Sequence, residues 1–372
     1  MKYAMLVSLL LSSISVSAQG RKRTIFDEWD KNGDGRLTKS ELPSGARSNF
    51  EKADRNGDGF ISREEDSTFR KRTSQRGLKL PDAIDAQLDL PYAGTQNPKQ
   101  RLDLYLPKKR KNDGPLPVVA FVHGGGWRNG DKAGGRGRVL SYVGSGEFAG
   151  VSIGYRLSSE AKWPAQIHDC KAAIRWLKAN AKNYHLAPDR IGVMGSSAGG
   201  HLVAMLGTTG NVKSLEGDLG DHLDQNSRVA CVVDEYGPTN FLTMNDFPGK
   251  MNHNSPNSPE SLLIGGPIQE NKDKCSKAGP LMYVSKESPP FLIVHGTMDP
   301  LVPFNQSVIL TEKLKTAGVP FILQEMTNGE HGGFRSEELA RRQRLFFENH
   351  LLGRNYQLPI GKIQVTSTGK AR

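Results

Sequence analysis

The chain has 372 residues, 36% of them hydrophobic, with 50 Lys and Arg against 39 Asp and Glu and only three cysteines. That length suits one large domain with a small appendage. No apolar run beyond the first twenty residues nears the roughly 20 needed to cross a bilayer, so a membrane-embedded protein is excluded. The net charge of +11 raises a nucleic-acid reading. Its clusters, "RKR", "FRKRTSQRGLK" and "KKRK", lie in loop-like stretches without interleaved aromatics, so no nucleic-acid site is expected and a solvated basic surface is favoured. Docking to an anionic polysaccharide or cell surface stays as a secondary expectation.

In chain order, "MKYAMLVSLLLSSISVSAQG" places Lys2 ahead of a leucine-rich core and small residues at Val16 and Ala18 before a cleavage point. Residues 1–18 read as a signal peptide, which predicts a secreted or periplasmic protein. Three cysteines make no disulfide framework. Cys170 and Cys231 fall in helix-like and strand-like apolar runs and read as buried; Cys275, in polar surroundings, is left open.

Next come "DKNGDGRLTKSE" and "DRNGDGFISREE". The first offers oxygen ligands at Asp30, Asn32, Asp34, the Arg36 carbonyl, Thr38 and Glu41; the second repeats them at Asp54, Asn56, Asp58, the Phe60 carbonyl, Ser62 and Glu65. Gly35 and Gly59 supply the sharp turns. Two tandem matches to this order predict an EF-hand pair over residues 24–65 that binds Ca²⁺ in a structural role. Twelve residues between the loops are tight for two full helices, so the pair is expected to be abbreviated. Residues 66–84, polar and basic, read as a linker.

From 85 onward, two alternating strands precede continuous apolar runs, "PVVAFVHGG", "GVSIGYRL", "RIGVMGSS", "VACVVDEYG" and "PFLIVHGT", each followed by glycine and then a helical period. This predicts an α/β domain with a mostly parallel, doubly wound sheet over residues 85–355. Residues 240–280, rich in Asn, Pro and Gly, form an insertion expected to shape a pocket, and 356–372 read as a short polar tail to which nothing is assigned.

Within that domain Gly195, Ser197 and Gly199 spell G-x-S-x-G between a strand and a helix, a nucleophile elbow. "HGGGW" supplies Gly125 and Gly126, whose N–H groups, with that of Ala198, would form an oxyanion hole. Asp299 follows the strand "PFLIVHG", with Asp234 its competitor, and His331 lies in the glycine-rich "EHGGF". His295 reads as a satisfied core histidine, and His222, His253 and His350 as loop or helix-end residues.

Together "HGGGW", "GSSAGGHL", "HGTMDPLVP" and "EHGGF" resemble the α/β-hydrolase superfamily, within it the esterase/lipase group related to hormone-sensitive lipase and to bacterial acetyl and feruloyl esterases. The resemblance implies Ser197 as nucleophile, His331 as base, Asp299 as orienting acid, and no cofactor for catalysis. It implies a serine carboxylesterase acting on a small ester or an acylated polysaccharide. The alternatives are a peptidase of the prolyl-peptidase type, which Ala198 after the nucleophile disfavours, and a calcium-dependent binding protein with a degenerate hydrolase domain.

Overall fold

The computed structural model describes residues 25–42, 46–75, 80–247 and 249–365. The signal segment over 1–18 lies outside the described residues. Contacts divide the chain into two compact units, Met1–Leu80 and Pro81–Arg372.

The first unit contains α1 (Ile25–Trp29), β1 (Arg36–Leu37), α2 (Phe50–Ala53), β2 (Ile61–Ser62) and α3 (Arg63–Gln75). β1 and β2 pair antiparallel, with Leu37 opposite Ile61. Each acidic loop thus donates its aliphatic residue to a shared core with Phe26, Leu42, Phe50 and Ala53. Only the four-residue α2 and a preceding turn, Arg47–Asn49, separate the loops among the described residues, so the hands are short.

Two boundaries differ from expectation. Residues 66–75, read as linker, continue α3. Glu64, Glu65 and Asp66 occupy its first turn, where the helix dipole favours negative charge. The segment shows no apolar stripe because Phe69 is its one large apolar anchor, packed on the small core. The tail, assigned nothing, forms β11 (Ile363–Gln364), paired parallel to the Met326–Thr327 end of β10. Two residues are too few to show a period.

The second unit is built on nine strands: β3 (Ile84–Pro91), β4 (Arg101–Pro107), β5 (Leu116–Val122), β6 (Ala149–Ile153), β7 (Leu186–Ser196), β8 (Cys231–Glu235), β9 (Phe291–Gly296), β10 (Phe321–Thr327) and β11. Their order is β11-β10-β9-β8-β7-β5-β6-β4-β3. β4 pairs antiparallel with β3 and β6, and every other pairing is parallel. β5, β6, β8 and β9 are buried at every residue, the property that makes them continuous apolar runs.

Helices cover both faces. α5 (Ala165–Ala179) and α7 (Ala198–Thr208) pack with Val118, Ala120 and Val193 in one large core. On the opposite face α4 (Arg136–Val143) meets α11 (Glu337–Leu352) through Tyr142 and Phe347, whose rings stand 5.4 Å apart. α4 is absent from the expected series: Arg136, Gly137 and Arg138 mask the short apolar face of Val139, Tyr142 and Val143. α6 (Ala181–Tyr184), α8 (Pro259–Ile264), α9 (Lys272–Ala278) and α10 (Asn305–Thr316) complete the unit, α8 and α9 within the insertion. Cys170, Cys231 and Cys275 are all buried and free. Among the described residues no helix is long and apolar enough to cross a membrane.

Candidate active site

β7 ends at Ser196 and α7 begins at Ala198, so Ser197 bridges them in a single residue with φ 56° and ψ −121°. This left-handed backbone is unfavourable for a residue with a Cβ and persists because the surroundings hold it. Ser197 N–H donates to the Glu235 carbonyl at 2.8 Å. A Cβ at Gly195 would lie 2.3 Å from the Gly199 carbonyl oxygen, and one at Gly199 would lie 2.2 Å from that of Val122. Only glycine lets strand and helix approach so closely.

Ser197 Oγ is 3.0 Å from His331 Nε2, and His331 Nδ1 is 2.7 Å from Asp299 Oδ2. Oδ1 of Asp299 accepts the N–H groups of Leu301 (2.8 Å) and Val302 (2.9 Å). Burial pushes the Asp299 carboxyl up, but hydrogen bonds from His295 and His331 outweigh it and hold the group well below the usual carboxylate range. Tyr236 stands edge-on to the His331 ring at 4.8 Å. A nucleophile, a base that reaches it and a carboxylate that fixes the base's tautomer meet here, the arrangement needed for nucleophilic acyl transfer.

Gly125 (φ 109°) and Gly126 (φ 59°) take backbone conformations that side chains resist, and the Gly125 carbonyl is tied to the N–H groups of Arg128 and Asn129, both at 3.1 Å. Ala198 opens α7, where a backbone N–H lacks an intrahelical acceptor. All three line one cavity of about 410 Å³ with Ser197 and His331. A larger space of about 510 Å³ lies between α4 and α11, shares Tyr236, and holds none of the three relay residues.

Asp234, the competing acid, is brought elsewhere: it is fully buried, its Oδ1 accepts from Gly237 N–H at 2.9 Å, and Oδ2 has no partner among the described residues. Burial pushes its carboxyl up to about 7, against the Gly237 hydrogen bond and with the help of the Glu235 charge. A carboxyl whose folded value exceeds the unfolded one of about 4 contributes stability that is complete below pH 4 and lost as pH rises through 7. Asp234→Asn should therefore raise the thermal midpoint more at pH 8 than at pH 5; equal shifts at both would refute this.

One histidine matches its sequence reading with an added contact, and another departs from it. His295 is a core residue as expected, with Nδ1 2.7 Å from Ser307 Oγ, but its Nε2 also lies 3.3 Å from Asp299 Oδ2. His253, set aside as a loop residue, is buried in the cavity wall with its Nδ1 3.1 Å from Glu260 Oε2. Glu260 has no sequence signal at all beyond opening a short helix.

In the first unit the loop carboxylates face their own backbone. Asp30 accepts from Gly33 and Gly35 N–H (2.9 and 3.0 Å), and Asp54 from Gly57 and Gly59 at the same distances. Asp34 and Asp58 accept from Arg36 and Phe60 N–H. Glu41 Oε2 takes the N–H and hydroxyl of Thr38, and Glu65 Oε2 those of Ser62; these bonds hold both carboxyls below the usual range. Among the described residues no group of three or more His, Cys, Asp or Glu is gathered as a metal cluster. The donors nonetheless fit a hard cation: all are oxygen, and Gly35 (φ 78°) and Gly59 (φ 84°) make the turns that bring them round.

Fold and motif order are those of the α/β-hydrolase fold, and the relatives the chain is similar to are named esterases. The chain belongs to the BD-FAE family, whose model matches residues 102–314, more than half its length. An EF-hand model matches residues 23–42 and 49–65. Esterase LipC of Mycobacterium tuberculosis is 32% identical over 219 residues, 59% of this chain and 53% of that protein. The chain spans about half the length of the curated relatives it matches. Among solved structures, a truncated carbohydrate esterase from gut microbiota is 33% identical with a TM-score of 0.67, covering 73% of this chain and 98% of the other. A bifunctional GH43-CE protein of Bacteroides eggerthii is 35% identical with a TM-score of 0.65, covering 71% and 38%.

Proposed function

We propose that the protein is an exported serine carboxylic-ester hydrolase that removes short acyl groups, acetyl or feruloyl, from polysaccharide. The observation that carries this reading is the relay from Ser197 Oγ to His331 Nε2 at 3.0 Å and from His331 Nδ1 to Asp299 at 2.7 Å, beside the glycine loop. Ser197 attacks the ester carbonyl as His331 takes its proton. The resulting oxyanion faces the N–H groups of Gly125, Gly126 and Ala198, devices worth about 3 kcal/mol each. His331 then protonates the departing alcohol, and water, deprotonated by the same imidazole, releases the acyl group from Ser197. The carbohydrate-esterase neighbours support a sugar-borne ester, and the leader-like residues 1–18 support export. Labelling with an organophosphonate and mapping the adduct tests the chemistry: a single adduct on Ser197 is expected, and a chain that hydrolyses esters yet resists the label would overturn the serine mechanism.

The acidic loops would hold Ca²⁺ through Asp30, Asn32, Asp34, Glu41 and the Arg36 carbonyl, and through Asp54, Asn56, Asp58, Glu65 and the Phe60 carbonyl. The ion would neutralise the carboxylates and tighten both loops. Because these hands belong to a separate compact unit, chelation is expected to speed proteolysis and amide exchange within residues 24–65 while ester hydrolysis survives. Unchanged exchange on adding EGTA, or turnover lost in EGTA and restored by calcium, would refute the structural role.

A further inference from the structure

The cavity beside Ser197 is not uniformly apolar. Along with Pro238, Met251, Leu301 and Val302 it is lined by His253 and Glu260, an ionisable pair from the insertion, each only 3% exposed. Neither takes part in the relay through Ser197, His331 and Asp299. Their Nδ1 and Oε2 lie 3.1 Å apart, yet these buried atoms make no aligned hydrogen bond with each other or with any other described residue. No other hydrogen bond of either side chain is found among the described residues. Buried polar groups are ordinarily satisfied, and exceptions in a cavity wall are groups that a ligand can complete.

The pair is held close to the reacting atoms. Pro259 packs on the glycine loop so tightly that a Cβ at Gly126 would lie 3.2 Å from Pro259 Cβ. Ser258 caps α8 by accepting the Ser261 N–H at 3.1 Å, which fixes the helix start that carries Glu260. A carboxylate and an imidazole together suit a hydroxyl better than other groups. A hydroxyl donates its single proton to the carboxylate and accepts from a ring N–H through a lone pair. A second carboxylate would be repelled by Glu260, and a carbonyl would leave it without a donor.

Resting on the ester-hydrolase reading above, we propose that His253 and Glu260 form a polar subsite that binds a hydroxyl of the substrate and so selects hydroxyl-bearing esters. The hydroxyl has two sources: the sugar that carries the ester, or a phenolic acyl group. Two substrate pairs separate them. Methyl p-coumarate against methyl cinnamate differs only in the phenolic hydroxyl of the acyl group, and acetylated xylo-oligosaccharide against 4-nitrophenyl acetate places hydroxyls on the alcohol side.

The full chain should prefer the hydroxylated member of one pair. In Glu260→Gln the ratio of kcat/KM within that pair should fall by about 10- to 100-fold, as expected when a hydrogen bond to a charged group is lost, with most of the change in KM. His253→Gln should lower the same ratio and serves as the second variant if Glu260→Gln does not fold. Equal losses on both members of each pair would show a structural role and overturn the subsite, as would a full chain that hydrolyses all four esters without preference. Failure on all four esters would instead sink the ester-hydrolase reading itself.

Discussion

Ser197→Ala is expected to lower kcat/KM for a short-chain chromogenic acetate by about 10⁴-fold or more, some 5.5 kcal/mol of transition-state stabilisation, while the thermal midpoint moves little. The substitution deletes the one oxygen 3.0 Å from His331 Nε2 and keeps the Cβ that the φ 56° backbone already accommodates. Gly125, Gly126 and Ala198 remain to polarise a bound carbonyl, so the residual rate measures what they achieve without a nucleophile. The comparison is steady-state hydrolysis by the two purified chains, with the midpoints confirming that both are folded. Retention of more than a tenth of the activity would mean that another group attacks, and the proposed mechanism would fall.

The second large effect is at Asp299. Asp299→Asn should reduce kcat by about 10³- to 10⁴-fold with little change in KM, because the geometry dictates how the amide must sit. Leu301 and Val302 both present N–H groups to Oδ1, so the amide oxygen has to stay there and its NH₂ turns to His331 Nδ1. Nδ1 must then accept, the ring proton moves to Nε2, and the imidazole can no longer take the proton of Ser197. A loss below tenfold would remove Asp299 from its orienting role.

Much of the scaffold was readable because it is buried on two sides. "VVAFV" and "FLIV" are continuous apolar runs for that reason, and the glycines around Ser197 mark a close strand–helix approach that few other arrangements require. Ser197, Asp299 and His331, which the structure brings together, follow from their places after such runs. What escaped depends on tertiary placement. Arg136 to Val143 hides its short apolar face behind glycine and arginine; Ile363 and Gln364 become a strand only because β10 offers an edge. His295 sits in an apolar run and reads as core, and only the chain reversal after Gly296 returns Asp299 to within 3.3 Å of it. His253 and Glu260, seven positions apart in polar surroundings, carry no local pattern; they meet because the insertion folds against the glycine loop.

The crowding at the elbow also bears on how such a protein can diversify. With 2.3 Å and 2.2 Å between the would-be side chains of Gly195 and Gly199 and neighbouring carbonyls, almost any replacement there breaks the junction that carries Ser197. The wall opposite, from Met251 to Glu260, is built of turns and one short helix outside the sheet, where residues can change without disturbing a strand. Mutational tolerance is therefore divided unevenly around a single cavity, so substitutions in the insertion can reshape the space beside Ser197 while the elbow that carries it stays fixed.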